Sequence, residues 1–135
     1  MDLSSVKPHT TTLHLVLPGT RKRIGLALEL QSMTSDAVEA VDKAAFKERR
    51  EMLERGEEPD AAFLERKGLD RYCAAVVDWT WEDDFEGNTG NWGGEQLEFT
   101  PENLRKVMGN DVVLSQVMAA AGDDARFFAK LAKAT

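Results

Sequence analysis

Two runs of alternating apolar residues, set on either side of a Pro-Gly break, limit what this chain can fold into more than any other feature. Leu13, Leu15 and Leu17 alternate with His14 and Val16, and Ile24, Leu26, Leu28 and Leu30 alternate with Gly25, Ala27 and Glu29. A period of two places one set of side chains on one face of a strand. Between the runs, Pro18 fixes φ and Gly19 tolerates positive φ, so Pro18-Gly19-Thr20 reverses the chain. The expectation is an antiparallel hairpin over 12–31 with one greasy face. A lone hairpin is marginal in water, so that face must be covered by helices or by another chain. Its spare edge is a candidate template for self-association into rings or spirals.

Helical spacing follows. Asp36 with Glu39 forms a capping pair, and Val38, Val41, Ala45 and Met52 share a face. Gly56-Glu57-Glu58-Pro59 ends that helix. Asp60 then caps a second, whose stripe is Leu64, Gly68, Tyr72, Ala75 and Trp79. Helices are thus expected within 36–79. A loop over 80–99 comes next: residues 80–100 hold six acidic side chains, no basic one, and the glycines Gly87, Gly90, Gly93 and Gly94. Thr100-Pro101 opens a further helix with Leu104, Val107 and Met108 on one side. Gly109-Asn110 closes it, and Asp111 opens another with Val113 or Leu114, Val117 and Ala121 inward. Asp123 caps a last one carrying Phe127, Phe128 and Leu131, so that helices fill 100–134. The predicted fold class is α+β and mostly α: an N-terminal antiparallel β-hairpin packed with about five helices. It forms a single domain, 12–135, behind a flexible arm, 1–11.

Charge and composition then narrow the function. A net charge of -7 in 135 residues argues against nucleic-acid binding, which needs a positive field. The one cysteine, Cys73, allows no disulfide framework and no multi-cysteine metal site. No apolar run approaches the roughly 20 residues that span a bilayer. Met1-Asp2-Leu3-Ser4-Ser5 lacks the basic and apolar regions of a signal peptide, so a cytoplasmic location is expected. Of the two histidines, His9 lies in the arm and His14 on the strand face opposite the leucines. Neither has a nucleophile or a His-x-Glu or HExxH partner at working spacing. Cys73, beside Ala74 and Ala75, reads as a small buried hydrophobe. No catalytic residue, metal ligand set or cofactor is assigned.

The acidic loop offers one alternative. Asp84, Glu86, Asn88, Gly90 and Glu95 match positions 1, 3, 5, 7 and 12 of a calcium loop. Position 6, where a sharp turn requires glycine, is Thr89, and position 8 is Asn91. A calcium-binding regulatory module over 84–95 is therefore the second reading. Aromatic residues point elsewhere: Trp79, Trp81, Phe85, Trp92 and Phe99 crowd into and beside the loop. Trp79 completes the helical stripe and is assigned to the core. Trp81 and Trp92 are harder to bury, and adjacent Phe127 and Phe128 cannot both face inward from one helix. These four, Trp81, Trp92, Phe127 and Phe128, are the candidate partner-binding residues.

The order of these features resembles the tail assembly chaperones of long-tailed, non-contractile bacteriophages of the lambda kind. The resemblance covers about residues 12–130. It rests on a strand ending in Pro-Gly, charged helices ending at Val77-Asp78-Trp79, and an acidic, glycine-bearing stretch. Phe99-Thr100-Pro101-Glu102-Asn103 then opens a helix, before the Ala119–Ala121 run and the segment from Asp123 to Phe128. It implies a non-enzymatic protein made from a phage or prophage gene during virion morphogenesis in the host cytoplasm and absent from the finished particle. Such proteins coat the tape measure protein, keep it soluble and help recruit tail tube subunits. A longer frameshifted product contacts the tube protein, and this chain corresponds to the shorter one. Met33, Met52, Met108 and Met118 would supply pliable apolar contact, and the acidic surface would keep a coated complex dispersed. A third reading is a small virion structural protein, for tail completion or head-tail joining.

Overall fold

The alternating leucine runs become two paired strands, β1 (Thr11–Val16) and β2 (Arg23–Leu30). Their antiparallel register sets Leu13 opposite Leu28 and His14 opposite Ala27. Gly19, at φ 77°, supplies the left-handed turn between them. The computed structural model describes residues 1–133. Residue 134, the expected end of the last helix, and the Leu131 side chain lie outside the described part. Ahead of β1, Leu3–Ser5 form a short 3₁₀ turn, and the His9 amide donates to the Phe127 carbonyl at 2.8 Å.

The fold is α+β as expected, with one addition. The second helix ends at Ala75, and Val76–Trp81 form a third strand, β3, antiparallel to β2 in the order β1-β2-β3. This corrects both the helical placement of Trp79 and the start of the loop at 80. A bulge explains the misreading. Asp78 pairs with Glu29 and Val76 with Leu30, which leaves Val77 as an extra residue. Val76 and Trp79 both point inward, three residues apart, which imitates a helical repeat.

Among the described residues there are five α-helices: α1 (Asp36–Glu54), α2 (Ala61–Ala75), α3 (Pro101–Met108), α4 (Asp111–Ala121) and α5 (Asp124–Lys133). Side-chain oxygens cap four of them. Ser35 accepts from the Val38 amide, Asp60 from Phe63, Thr100 from Asn103, and Asn110 from Val112 and Val113. The cap of α1 is thus Ser35, one residue before the expected Asp36. At its other end, the Gly56 amide bonds to the Leu53 carbonyl and the Glu57 amide to Met52. With Gly56 at φ 76°, this is the glycine-terminated stop that Gly56 and Pro59 foreshadow.

The leucine face of the sheet carries the core. Leu15, Leu26, Leu28, Leu30 and Trp79 pack with Leu104, Val107, Met108, Val117 and Phe127. Met108 is fully buried, so it belongs to this core and not to a pliable surface. A smaller cluster, Val38, Ala75 and Ala121, ties the start of α1 to α2 and α4. Val38 is the one residue α1 buries, and the rest of that helix lies half-buried or exposed.

The β1 edge is closed. The Gln116 side chain accepts from the Val16 amide at 2.9 Å and donates to the Val16 carbonyl at 2.8 Å, as a neighbouring strand would. Arg126 Nη2 takes the Thr12 carbonyl at 2.7 Å. The expected spare edge of the hairpin is therefore occupied by α4 and α5 at both ends. On the solvent face, His14 Nδ1 meets the Glu82 carboxylate at 2.8 Å, so this histidine is paired, not free.

Candidate interaction cleft

The segment after β3 is folded back onto the sheet by hydrogen bonds and glycines. The Trp79 and Trp81 indoles, two residues apart on one strand face, both donate to the Leu97 carbonyl at 2.9 Å. Trp79 also stands edge-on to Trp81 and Phe99, with ring centroids 6.2 and 5.1 Å away. Trp92 and Glu95 exchange backbone hydrogen bonds at 2.7 and 3.1 Å across Gly93-Gly94. Both glycines have positive φ, 59° and 92°, as a tight two-residue hairpin turn requires.

The closest approach is at Gly90, whose main chain crosses that of Gly25. A Cβ on Gly90 would lie 2.3 Å from the Gly25 carbonyl oxygen, so no side chain fits at that crossing. The Gly90 amide donates to the Glu82 carbonyl and the Glu82 amide to the Gly25 carbonyl, each at 2.9 Å. The acidic loop is thus an ordered cover, and the four glycines are the means by which it lies flat.

This folding brings Trp81 and Trp92 together. They border a cleft of about 260 Å³ whose floor is Leu15, Leu26, Val107 and Val113, with Asn91 and Asn110 at its rim. Each tryptophan is half-buried: one side rests on the core and the other remains accessible. Phe127 and Phe128 do not join them. Phe127 is fully buried in the core, which removes it from the candidate contact residues, while Phe128 is half-buried against the same core.

Asp84 Oδ1 accepts from the Glu86 and Asn88 amides at 2.8 and 3.0 Å, so the carboxylate holds its own turn. Among the described residues no group of three His, Cys, Asp or Glu side chains converges as a metal site.

A larger hollow, about 380 Å³, lies between α1, α2 and α3. Its charges satisfy one another, since Asp70 pairs with Arg105 and Lys67 with Glu48. Cys73 at its base is buried, and that burial pushes its thiol above the ordinary value, with a smaller opposing pull from Arg105. A raised thiol is a poor nucleophile.

No helix among the described residues is long and apolar enough to cross a membrane. Comparison with family models, curated proteins and solved structures finds no match to this chain.

Proposed function

We propose that this protein is a non-enzymatic tail assembly chaperone that holds an amphipathic helical client, the tape measure protein, in solution and helps recruit tail tube subunits. The observation that supports this most is the Trp81/Trp92 cleft, with its apolar floor and amide rim. A cleft of that chemistry takes the apolar face of a helix, since aromatic walls give contact area at low entropic cost. The surrounding charge of -7 suits a protein that must keep an aggregation-prone partner dispersed. Exposed Leu64 and Met118 add apolar surface outside the cleft, and Met118 is more exposed than Met33, Met52 or Met108.

On this reading the protein acts in the host cytoplasm, leaves no trace in the finished particle, and meets the tail tube protein through a longer frameshifted product. Co-expression with a candidate tape measure protein is the test. Soluble client should depend on this chain, and Trp92→Ala should reduce the yield of soluble complex while leaving the chaperone folded. Client that is equally soluble alone, or this chain found in stoichiometric amounts in purified virions, would overturn the proposal, the latter in favour of a small structural component.

A further inference from the structure

Gly68 sits inside α2, where glycine weakens a helix relative to alanine. No packing within the chain requires it. A Cβ there would meet nothing within 4 Å, and the residue lies outside the positive-φ region. Its missing side chain instead opens a groove of about 270 Å³ between α2, α4 and the end of α3.

The two helices line this groove with one spacing. Glu65, Gly68 and Tyr72 on α2, and Asp111, Leu114 and Met118 on α4, each follow i, i+3, i+7 along a helix face. Ala75 and Ala121, each ten residues or about 15 Å beyond the carboxylates, share the cluster around Val38. Glu65 and Asp111 therefore stand at one end of the groove, and Tyr72 and Met118 at the other.

The charge at that end is of one sign. Glu65 and Asp111 are exposed, and neither belongs to an ion pair among the described residues. No basic side chain among the described residues lines the groove, and those of α2 and α3 are engaged or placed elsewhere. Arg66 and Lys67 lie 5.8 and 5.4 Å from the Phe63 ring centroid, and Lys67 also pairs with Glu48. Arg71 pairs with Asp42, and Arg105 with Asp70. Lys106 is two residues from both Leu104 and Met108, which puts it on the far face of α3.

We infer that this groove receives a helical segment of a partner protein that carries two apolar side chains and a lysine or arginine on one face. A space of about 150 Å³ holds a benzene ring, so the groove takes one or two large apolar side chains, over Gly68 and beside Met118. Residues i, i+4 and i+7 of such a helix are spaced about 6 and 10.5 Å along one face. That spacing matches the Tyr72/Met118, Gly68/Leu114 and Glu65/Asp111 rows in turn, with the cation between the two carboxylates. The apolar contact holds the segment and the carboxylates select its charge, since exposed ion pairs add discrimination more than affinity. Asn110, Val112 and Val113 line the Trp81/Trp92 cleft, whereas Gly109, Asp111 and Leu114 line this groove, so the start of α4 divides the two. The inference does not rest on the tape measure reading.

The probes are two alanine–glutamine peptides of about 16 residues, long enough to populate a helix. One carries Leu-x-x-x-Leu-x-x-Lys and the other the reverse order, because the groove does not fix the direction of its occupant. Each is titrated at low salt into the isotope-labelled full chain and followed by NMR. One of the two should shift the amides of Gly68, Gly109 and Leu114 with a Kd of about 1 mM or tighter. The same peptide with Glu in place of Lys should bind about fivefold more weakly. E65Q/D111N changes two exposed residues and should erase that difference between the peptides. Gly68→Leu fills the groove and should block both peptides with circular dichroism unchanged. Peptides that leave these amides unmoved, a Glu peptide that binds as well as the Lys one, or shifts confined to the Trp81/Trp92 cleft would each overturn the inference. So would concentration-dependent shifts of Gly68 and Leu114 in the chain alone, because the occupant would then be a second copy.

Discussion

Gly90→Ala adds a single methyl group at a point where the structure leaves no room for one. Its Cβ would lie 2.3 Å from the Gly25 carbonyl oxygen and 2.6 Å from the Gly25 carbonyl carbon and Cα, all well inside ordinary contact at 3.4 Å. These neighbours are main chain of a central strand and cannot rotate away, so the loop must lift. Gly90 lies outside the positive-φ region, so the effect is steric and not a matter of backbone preference. Lifting the loop loses the Gly90–Glu82 and Glu82–Gly25 hydrogen bonds, worth about 1 kcal/mol each, on top of about 1–3 kcal/mol for overpacking. We expect a loss of about 3 kcal/mol, which for a chain of this length lowers Tm by about 10 °C. Thermal unfolding followed by circular dichroism, with tryptophan emission alongside, measures it, and emission should shift to the red as Trp92 loses its support. A variant that melts with wild type and keeps its emission maximum would refute the crossing and the ordered loop with it.

Gly68→Ala should act in the opposite direction, because a Cβ there meets nothing within 4 Å inside α2, and a gain of about 0.5–1 kcal/mol should appear as a higher urea midpoint. Gln116→Ala leaves the Val16 amide and carbonyl without their strand-like partner, which should cost about 1–3 kcal/mol and raise light scattering at the unfolding midpoint as the β1 edge opens. Cys73 should react far more slowly with a thiol reagent such as dithionitrobenzoate at pH 8 in the native protein than in urea. Because folding raises this thiol above its ordinary 9.0, its contribution to stability is complete below that value and is lost as pH climbs through the raised one. Cys73→Ala should flatten the alkaline fall in stability.

The sequence made the hairpin legible because alternation survives in both leucine runs and Pro18-Gly19 punctuates them. The helices from 100 onward were legible because Thr100-Pro101 is a strong start and Gly109-Asn110 a strong break, although the cap of α4 is Asn110 itself and not Asp111. The third strand was hidden for a physical reason: Val77 bulges, so Val76 and Trp79 face the core at a spacing that a helix also satisfies. Its composition, Val-Val-Asp-Trp-Thr-Trp, with β-branched and aromatic residues in all but one position, was the available signal. At the candidate cleft, Trp81 and Trp92 were found by their aromatic excess over what a small core takes. Their floor was not, because Leu15, Val107 and Val113 come from distant elements. Adjacency shows that Phe127 and Phe128 cannot both face inward but not which one does, and the packing of α5 on the core settles it for Phe127. The role of Gly90 rests on a backbone crossing with Gly25, a contact that local patterning cannot encode.

The account depends on the protein working by contact through the Trp81/Trp92 cleft. Hydrogen-exchange mass spectrometry of the chain with and without a helical segment of the client tests this most directly. The account predicts new protection in the peptides carrying Trp92, Val107 and Val112, with the β2–β3 ladder that carries Trp81 unchanged. Binding that protects other surfaces and leaves these peptides exchanging as in the free protein would contradict it.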